Sequence, residues 1–103
     1  MATADIDAGK CGYQTRVETE MDGERCTIKI SSECKAIQRL AEELVSVEPY
    51  GEISFRRKIP VILQMGAKNC THAACPVPVG IIKAVEIEAG LALPQDVHIS
   101  LKK

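Results

Sequence analysis

The stretch Tyr13-Gln14-Thr15-Arg16-Val17-Glu18-Thr19-Glu20-Met21-Asp22-Gly23-Glu24-Arg25-Cys26-Thr27-Ile28-Lys29-Ile30 decides the fold. Tyr13, Thr15, Val17 and Thr19 alternate with Gln14, Arg16, Glu18 and Glu20, which gives one charged face and a period of two. Cys26, Ile28 and Ile30 alternate in the same way with Arg25, Thr27 and Lys29. Between the two runs stands Asp22-Gly23, a dipeptide suited to positive φ and hence to a tight hairpin turn. The pattern predicts an antiparallel hairpin over Cys11–Ser31. With Asp22 and Gly23 as the loop, paired positions sum to 45. Thr19 then faces Cys26, Val17 faces Ile28, and Cys11 comes level with Cys34. Cys26 lies near the turn, eight strand residues from the level of Cys11, or roughly 26 Å at the strand rise. The register thus groups Cys11 with Cys34 and excludes Cys26.

Outward from the hairpin, residues 1–10 are small and acidic without periodicity, and are expected to form a flexible N-terminal arm. Ser31–Val47 reads as an amphipathic helix, with Cys34, Ile37, Leu40, Ala41 and Leu44 on one face. Ser31 or Ser32 is the expected N-cap. Ile53 and Phe55 alternate with Glu52 and Ser54, which predicts a short strand within Tyr50–Arg57. Pro60 near the start of the apolar run Ile59–Lys68 predicts a short helix through Met65, with a buried strand as the alternative. A second main helix is expected from Pro76 or Pro78 to Ala89, stopped by Gly90 at C′. Val97, Ile99 and Leu101 alternate with His98 and Ser100, which predicts a closing strand. The fold class is α+β. A small, single-layer, mainly antiparallel sheet combines the N-terminal hairpin with a C-terminal strand. Two main helices and a short third cover it, and residues 11–103 form one domain.

Composition narrows the function. Among 103 residues, the net charge is −1 and aromatics are 3%. That removes both the electrostatic pull toward nucleic acid and the base-stacking surface. No apolar run approaches the roughly 18 residues that span a bilayer, and the N-terminus lacks a signal-peptide core. A cytoplasmic protein is expected, with no nucleic-acid or membrane partner; a protein partner and the oligomeric state are left open. In a reducing compartment the five cysteines are not a disulfide framework. There is no Gly-rich phosphate loop and no nucleophile elbow.

The candidate chemistry lies in Cys70-Thr71-His72-Ala73-Ala74-Cys75-Pro76-Val77-Pro78. Cys75 reads as the N-cap of the last helix and Cys34 as part of the first turn of the other. Free N–H groups at a helix N-terminus favour thiolate. With Cys11 level with Cys34, four thiolates are expected to form a metal site: Cys11, Cys34, Cys70 and Cys75. This donor set suits an iron–sulfur cluster first and zinc second. His72 is the alternative ligand. The bland alternative is that a cysteine on an apolar face serves as a small hydrophobe, which is the reading for Cys26 and would make the protein a non-enzymatic interaction module.

Two resemblances add to this. Cys11-Gly12-Tyr13, Ser32-Glu33-Cys34, His72 to Pro78 and Gly90-Leu91-Ala92-Leu93-Pro94 resemble a family of small uncharacterised proteins of anaerobic archaea and bacteria. The resemblance covers most of the chain from Cys11 onward. It implies an anaerobe-type cytosol that tolerates oxygen-sensitive clusters, and it carries no activity. Cys75-Pro76-Val77-Pro78 is also locally similar to the Cys-Pro-x-Pro motif of TusA-like sulfur carriers. That likeness implies a persulfide-carrying or thiol-redox role for Cys75, with Cys70 as its resolving partner. In those carriers the motif follows the first strand, whereas here it lies near the C-terminus.

Overall fold

The structure, a computed structural model, describes all residues, 1–103. Four antiparallel strands run in spatial order β1-β2-β3-β4: β1 Ala2–Asp7, β2 Gln14–Asp22, β3 Arg25–Ser32 and β4 Ser46–Val47. Helices α1 (Lys35–Glu43), α2 (Val61–Asn69) and α3 (Val77–Glu88) complete the α+β fold. The inward residues Val17, Cys26 and Ile28 of the hairpin meet Ile37, Leu40 and Leu44 from α1. Ile62 from α2 and Val77, Ile81, Ala84 and Val85 from α3 complete that core.

The hairpin forms as its alternation predicts, with a register moved by two. Thr19 pairs with Ile28, Met21 with Cys26 and Asp22 with Arg25, so the loop is Gly23-Glu24. Gly23 has φ of 64° and no non-glycine residue has positive φ. A glycine at the first central position is the type II′ arrangement, whereas Asp22-Gly23 as a type I′ loop would need Asp22 at positive φ as well. A shift of two preserves the faces. It does change the levels, so Cys11 is not paired toward Cys34.

The segment expected to be an arm forms β1, which pairs with β2 from Ala2 opposite Thr19 to Asp7 opposite Gln14. Its inward Ala2, Ala4 and Ile6 are half-buried and its Thr3, Asp5 and Asp7 exposed. Side chains this small and acidic have weak strand preference, so pairing with β2 makes the strand. Arg16 holds Asp5 across the pair at 2.8 Å.

Helix α1 stops four residues before the predicted end. Beyond its C-cap Leu44, the Val45 carbonyl accepts from the Ile28 N–H at 2.9 Å, and Val47 pairs with Cys26. Two β-branched residues around Ser46 suit the sheet better than a further helical turn. The short strand predicted within Tyr50–Arg57 is absent. Pro49–Gly51 forms a 3₁₀ turn capped by the Glu48 carboxylate, followed by irregular chain with Ile53 and Phe55 exposed.

Helix α3 ends in a Schellman motif. The Gly90 N–H donates to the Ile87 carbonyl at 3.1 Å and the Leu91 N–H to that of Glu86 at 2.8 Å, with Gly90 at φ 76°. The chain then turns beside Lys83, Glu86 and Ile87. The predicted closing strand at Val97–Leu101 is exposed and unpaired. The strand on the free side of β2 is β1, so the sheet's extra strands are β1 and β4.

Glu88 ties α3 to the sheet. The Met21 N–H donates to its Oε2 at 3.0 Å, and the terminal amine of Met1 lies 3.3 Å from Oε1. The Met21 hydrogen bond first, and the amine after it, hold the carboxyl below its ordinary 4.5 against the opposing effect of burial. The folded pKa lies below the unfolded one. The resulting stability is therefore complete above about pH 4.5 and is lost as pH falls through the folded value. A series of urea-unfolding curves from about pH 6 to about pH 3 should show the wild-type midpoint falling more steeply than that of Glu88→Gln once pH drops below about 4.5.

Candidate thiol site

Cys34, distant in sequence, comes near the close pair Cys70 and Cys75 at helix ends. Cys34 is the N-cap of α1, held in extended conformation at φ −73° and ψ 123°, where its N–H donates to the Ser32 hydroxyl at 3.1 Å. Cys70 is the C-cap of α2, and its N–H donates to the Gly66 carbonyl at 2.8 Å. Cys75 precedes the N-cap of α3, which is Pro76 rather than Cys75 itself. A turn closed by the Cys75 N–H on the His72 carbonyl, at 3.2 Å, brings Cys75 back toward Cys70. All three are half-buried.

Gly66 makes this meeting possible. A Cβ there would stand 2.7 Å from Cγ of Pro78, closer than side chains approach. Its absence lets α2 and α3 pack at the point where one helix ends in Cys70 and the other begins after Cys75. Gly66, Cys70, His72, Cys75, Pro78 and Val79 line an open cleft of about 430 Å³.

The electrostatics are those of crowded thiols. Burial pushes the Cys70 thiol up first. The neighbouring Cys75 and Cys34 thiols, whose negative charge it would face, push it further, and Arg39 pulls it partly back; it stands at about 11. Arg39 also donates to the carbonyl of Asn69 at 3.3 Å, which fixes it beside the end of α2. The first turns of α1 and α3 contain no acidic residue, so their free N–H groups are not offset by carboxylate.

Of the predicted ligands, the structure brings Cys34, Cys70 and Cys75 together and leaves Cys11 outside the group. Cys11 is exposed in the loop joining β1 to β2, where the Gly12 N–H donates to the Gly9 carbonyl at 2.9 Å. No group of three or more His, Cys, Asp or Glu side chains is closed around a point as metal ligands are. His72 is exposed at the cleft. Cys26 is fully buried in the core; burial and then Glu88 push its thiol up, against a hydrogen bond with the Glu20 backbone. Sequence reasoning missed Arg39, which reads as part of the solvated face of α1. Its place five residues after Cys34, about 1.4 helical turns on, puts it on a different face and gives no signal in the sequence.

No helix is long and apolar enough to cross a membrane. No curated protein and no solved structure matched the chain. A family model described as a family of unknown function, DUF6951, matches residues 2–101. With nearly its whole length matched, the chain belongs to the DUF6951 family.

Proposed function

We propose that the protein binds a thiophilic metal centre through Cys34, Cys70 and Cys75, with an iron–sulfur cluster favoured over zinc. The observation that supports this is the approach of Cys34, at the start of α1, to the Cys70 and Cys75 pair in the connection between α2 and α3. Burial first, and then the neighbouring Cys75 and Cys34, push the Cys70 thiol up, and a bound cation reverses that effect by stabilising thiolate. The donor set is sulfur throughout, which selects iron–sulfur clusters and zinc over magnesium or calcium. Cys11, on a loop with glycines at positions 9 and 12, is the fourth ligand in this reading and closes on the group when metal enters. His72 is the alternative. The anaerobe-type cytosol implied by the sequence resemblance favours the cluster.

Anaerobic purification followed by absorption spectroscopy and iron, zinc and sulfide analysis tests the reading. Iron with labile sulfide, lost in Cys34→Ser, Cys70→Ser and Cys75→Ser and kept in Cys26→Ala, is the expected result. Zinc without sulfide selects the second metal. Colourless, metal-free protein overturns both.

The adjacency of Cys70 and Cys75 on an open cleft favours one further reading, a sulfur carrier. Cys75 thiolate would take the outer sulfur of a donor's persulfide and release the donor's thiol, and Cys70 thiolate would then attack the inner sulfur of the Cys75 persulfide, forming the Cys70–Cys75 disulfide and releasing hydrosulfide. A single-sulfur mass increase on Cys75 after exposure to a cysteine desulfurase, absent in Cys75→Ser, distinguishes it from metal binding.

A further inference from the structure

The last segment of the chain has the pattern of a strand and no partner. Val97, Ile99 and Leu101 are 62%, 73% and 87% exposed, with His98, Ser100 and Lys102 between them. No backbone hydrogen bond involves any residue after Leu91. Isolated exposed apolar residues are ordinary, but three in period two line up as one continuous apolar edge once the segment pairs as a strand. The sheet, meanwhile, ends on a six-residue strand, β1, whose outer backbone groups are unpaired. Its inward Ala4 and Ile6 remain only half-buried. An open edge of this kind is a template for another strand.

The geometry points to reciprocal strand exchange between two copies of this chain, with Val97–Leu101 of each added antiparallel to the free edge of β1 in the other. The chain's own sheet is not the partner. Residues Ala92–His98 run beside Lys83, Glu86 and Ile87 of α3, whereas Ile81, Ala84, Val85 and Glu88 turn toward the sheet. The helix therefore stands between the segment and its own β1. A second copy offers the same edge with nothing in the way, and exchange in both directions gives the closed two-fold arrangement that most homo-oligomers adopt.

Length, face and charge agree. Pairing Ile99 opposite Ile6 and Leu101 opposite Ala4 sets all apolar residues of the added strand on the helix-covered face. The same register sets His98 opposite Asp7 and Ser100 opposite Asp5, with Lys102 diagonal to Asp5, so the basic end of the chain meets the acidic edge. The rest of the sheet is antiparallel, and antiparallel pairing continues its hydrogen-bond pattern.

Light scattering on the full chain across the micromolar range, with reductant present to exclude links through Cys11, reads the mass. Amide hydrogen exchange reads which strands are protected. The expected result is a twofold mass with joint protection of residues 97–101 and the outer edge of β1. Ile99→Asp and Leu101→Asp should each halve the mass and remove that protection, with circular dichroism unchanged. A wild-type monomer, whether its last segment is protected or free, overturns the inference. So does a dimer that survives both substitutions.

Discussion

Replacing Glu52 with alanine is expected to cost about 3 kcal/mol of stability, because it removes two hydrogen bonds made by a buried charge. Glu52 is 3% exposed. Its Oε2 accepts from the Val61 N–H at 3.1 Å and its Oε1 from the Ile62 N–H at 2.8 Å. These are two of the first N–H groups of α2, which have no partner within the helix. The local N-cap is Pro60, whose side chain offers no acceptor. Glu52 therefore caps the helix from nine residues away, and its negative charge faces the positive end of the dipole. Glu52→Gln keeps one good acceptor and should lose roughly half as much. Urea unfolding at unchanged m-value measures both. The other end of α2 carries Cys70, so loosening this cap also loosens the thiol group.

Glu52 also shows where sequence reading stops. The alternation of Glu52 and Ser54 with Ile53 and Phe55 suits a strand with Glu52 outward. The structure reverses it: Glu52 is buried while Ile53 and Phe55 are exposed. Period two is a local signal, and it says nothing about a helix nine residues away that needs a cap. The closing segment is the same case in another form, since its alternation is genuine but its partner is not in the chain's own sheet. β1 is the converse, a strand with almost no local signal that forms because β2 has an edge to fill. The hairpin, α1 and α3 were legible because each has an apolar face at its own period, and the hairpin and α3 also carry a turn or stop signal, Gly23 and Gly90. The register was not, since Asp22-Gly23 allows glycine to stand first or second in the turn.

The candidate site divides along the same line. Cys34 and Cys75 were legible as residues at helix starts, because serine caps and prolines mark such starts in the sequence; Cys70 was not, because the short helix expected through Met65 runs on to Asn69. Cys11 was assigned by counting along a strand that in fact begins at Gln14. Its place in a metal site therefore rests on the chemistry of a fourth sulfur and not on register. Arg39 was hidden because nothing in the sequence shows that α2 ends against α1, so its role beside Cys70 depends on tertiary packing.

Cys70 of the metal-free protein should be alkylated about tenfold more slowly at neutral pH than an ordinary free thiol. Two opposing effects set that figure. Raising the thiol from 9.0 to about 11 lowers the thiolate fraction about a hundredfold, and thiolate is the nucleophile. The more basic thiolate is intrinsically more reactive, which regains about tenfold. Its rate should rise about tenfold per pH unit until it levels near the raised pKa. Cys75→Ser removes the largest contribution after burial and should speed the reaction, while Arg39→Gln removes the one opposing charge and should slow it. Peptide mass spectrometry after timed iodoacetamide treatment separates Cys70 from Cys11, which is exposed and serves as the internal reference. Equal rates at the two positions would show that the thiols do not crowd one another. The linkage has a matching sign in stability. The folded chain holds a proton that the unfolded chain releases, so Cys70 contributes fully below pH 9.0 and its contribution is lost as pH rises toward about 11. A bound metal removes both effects by displacing that proton, so a metal-loaded protein that still lost stability over this interval would not be using Cys70 as a ligand.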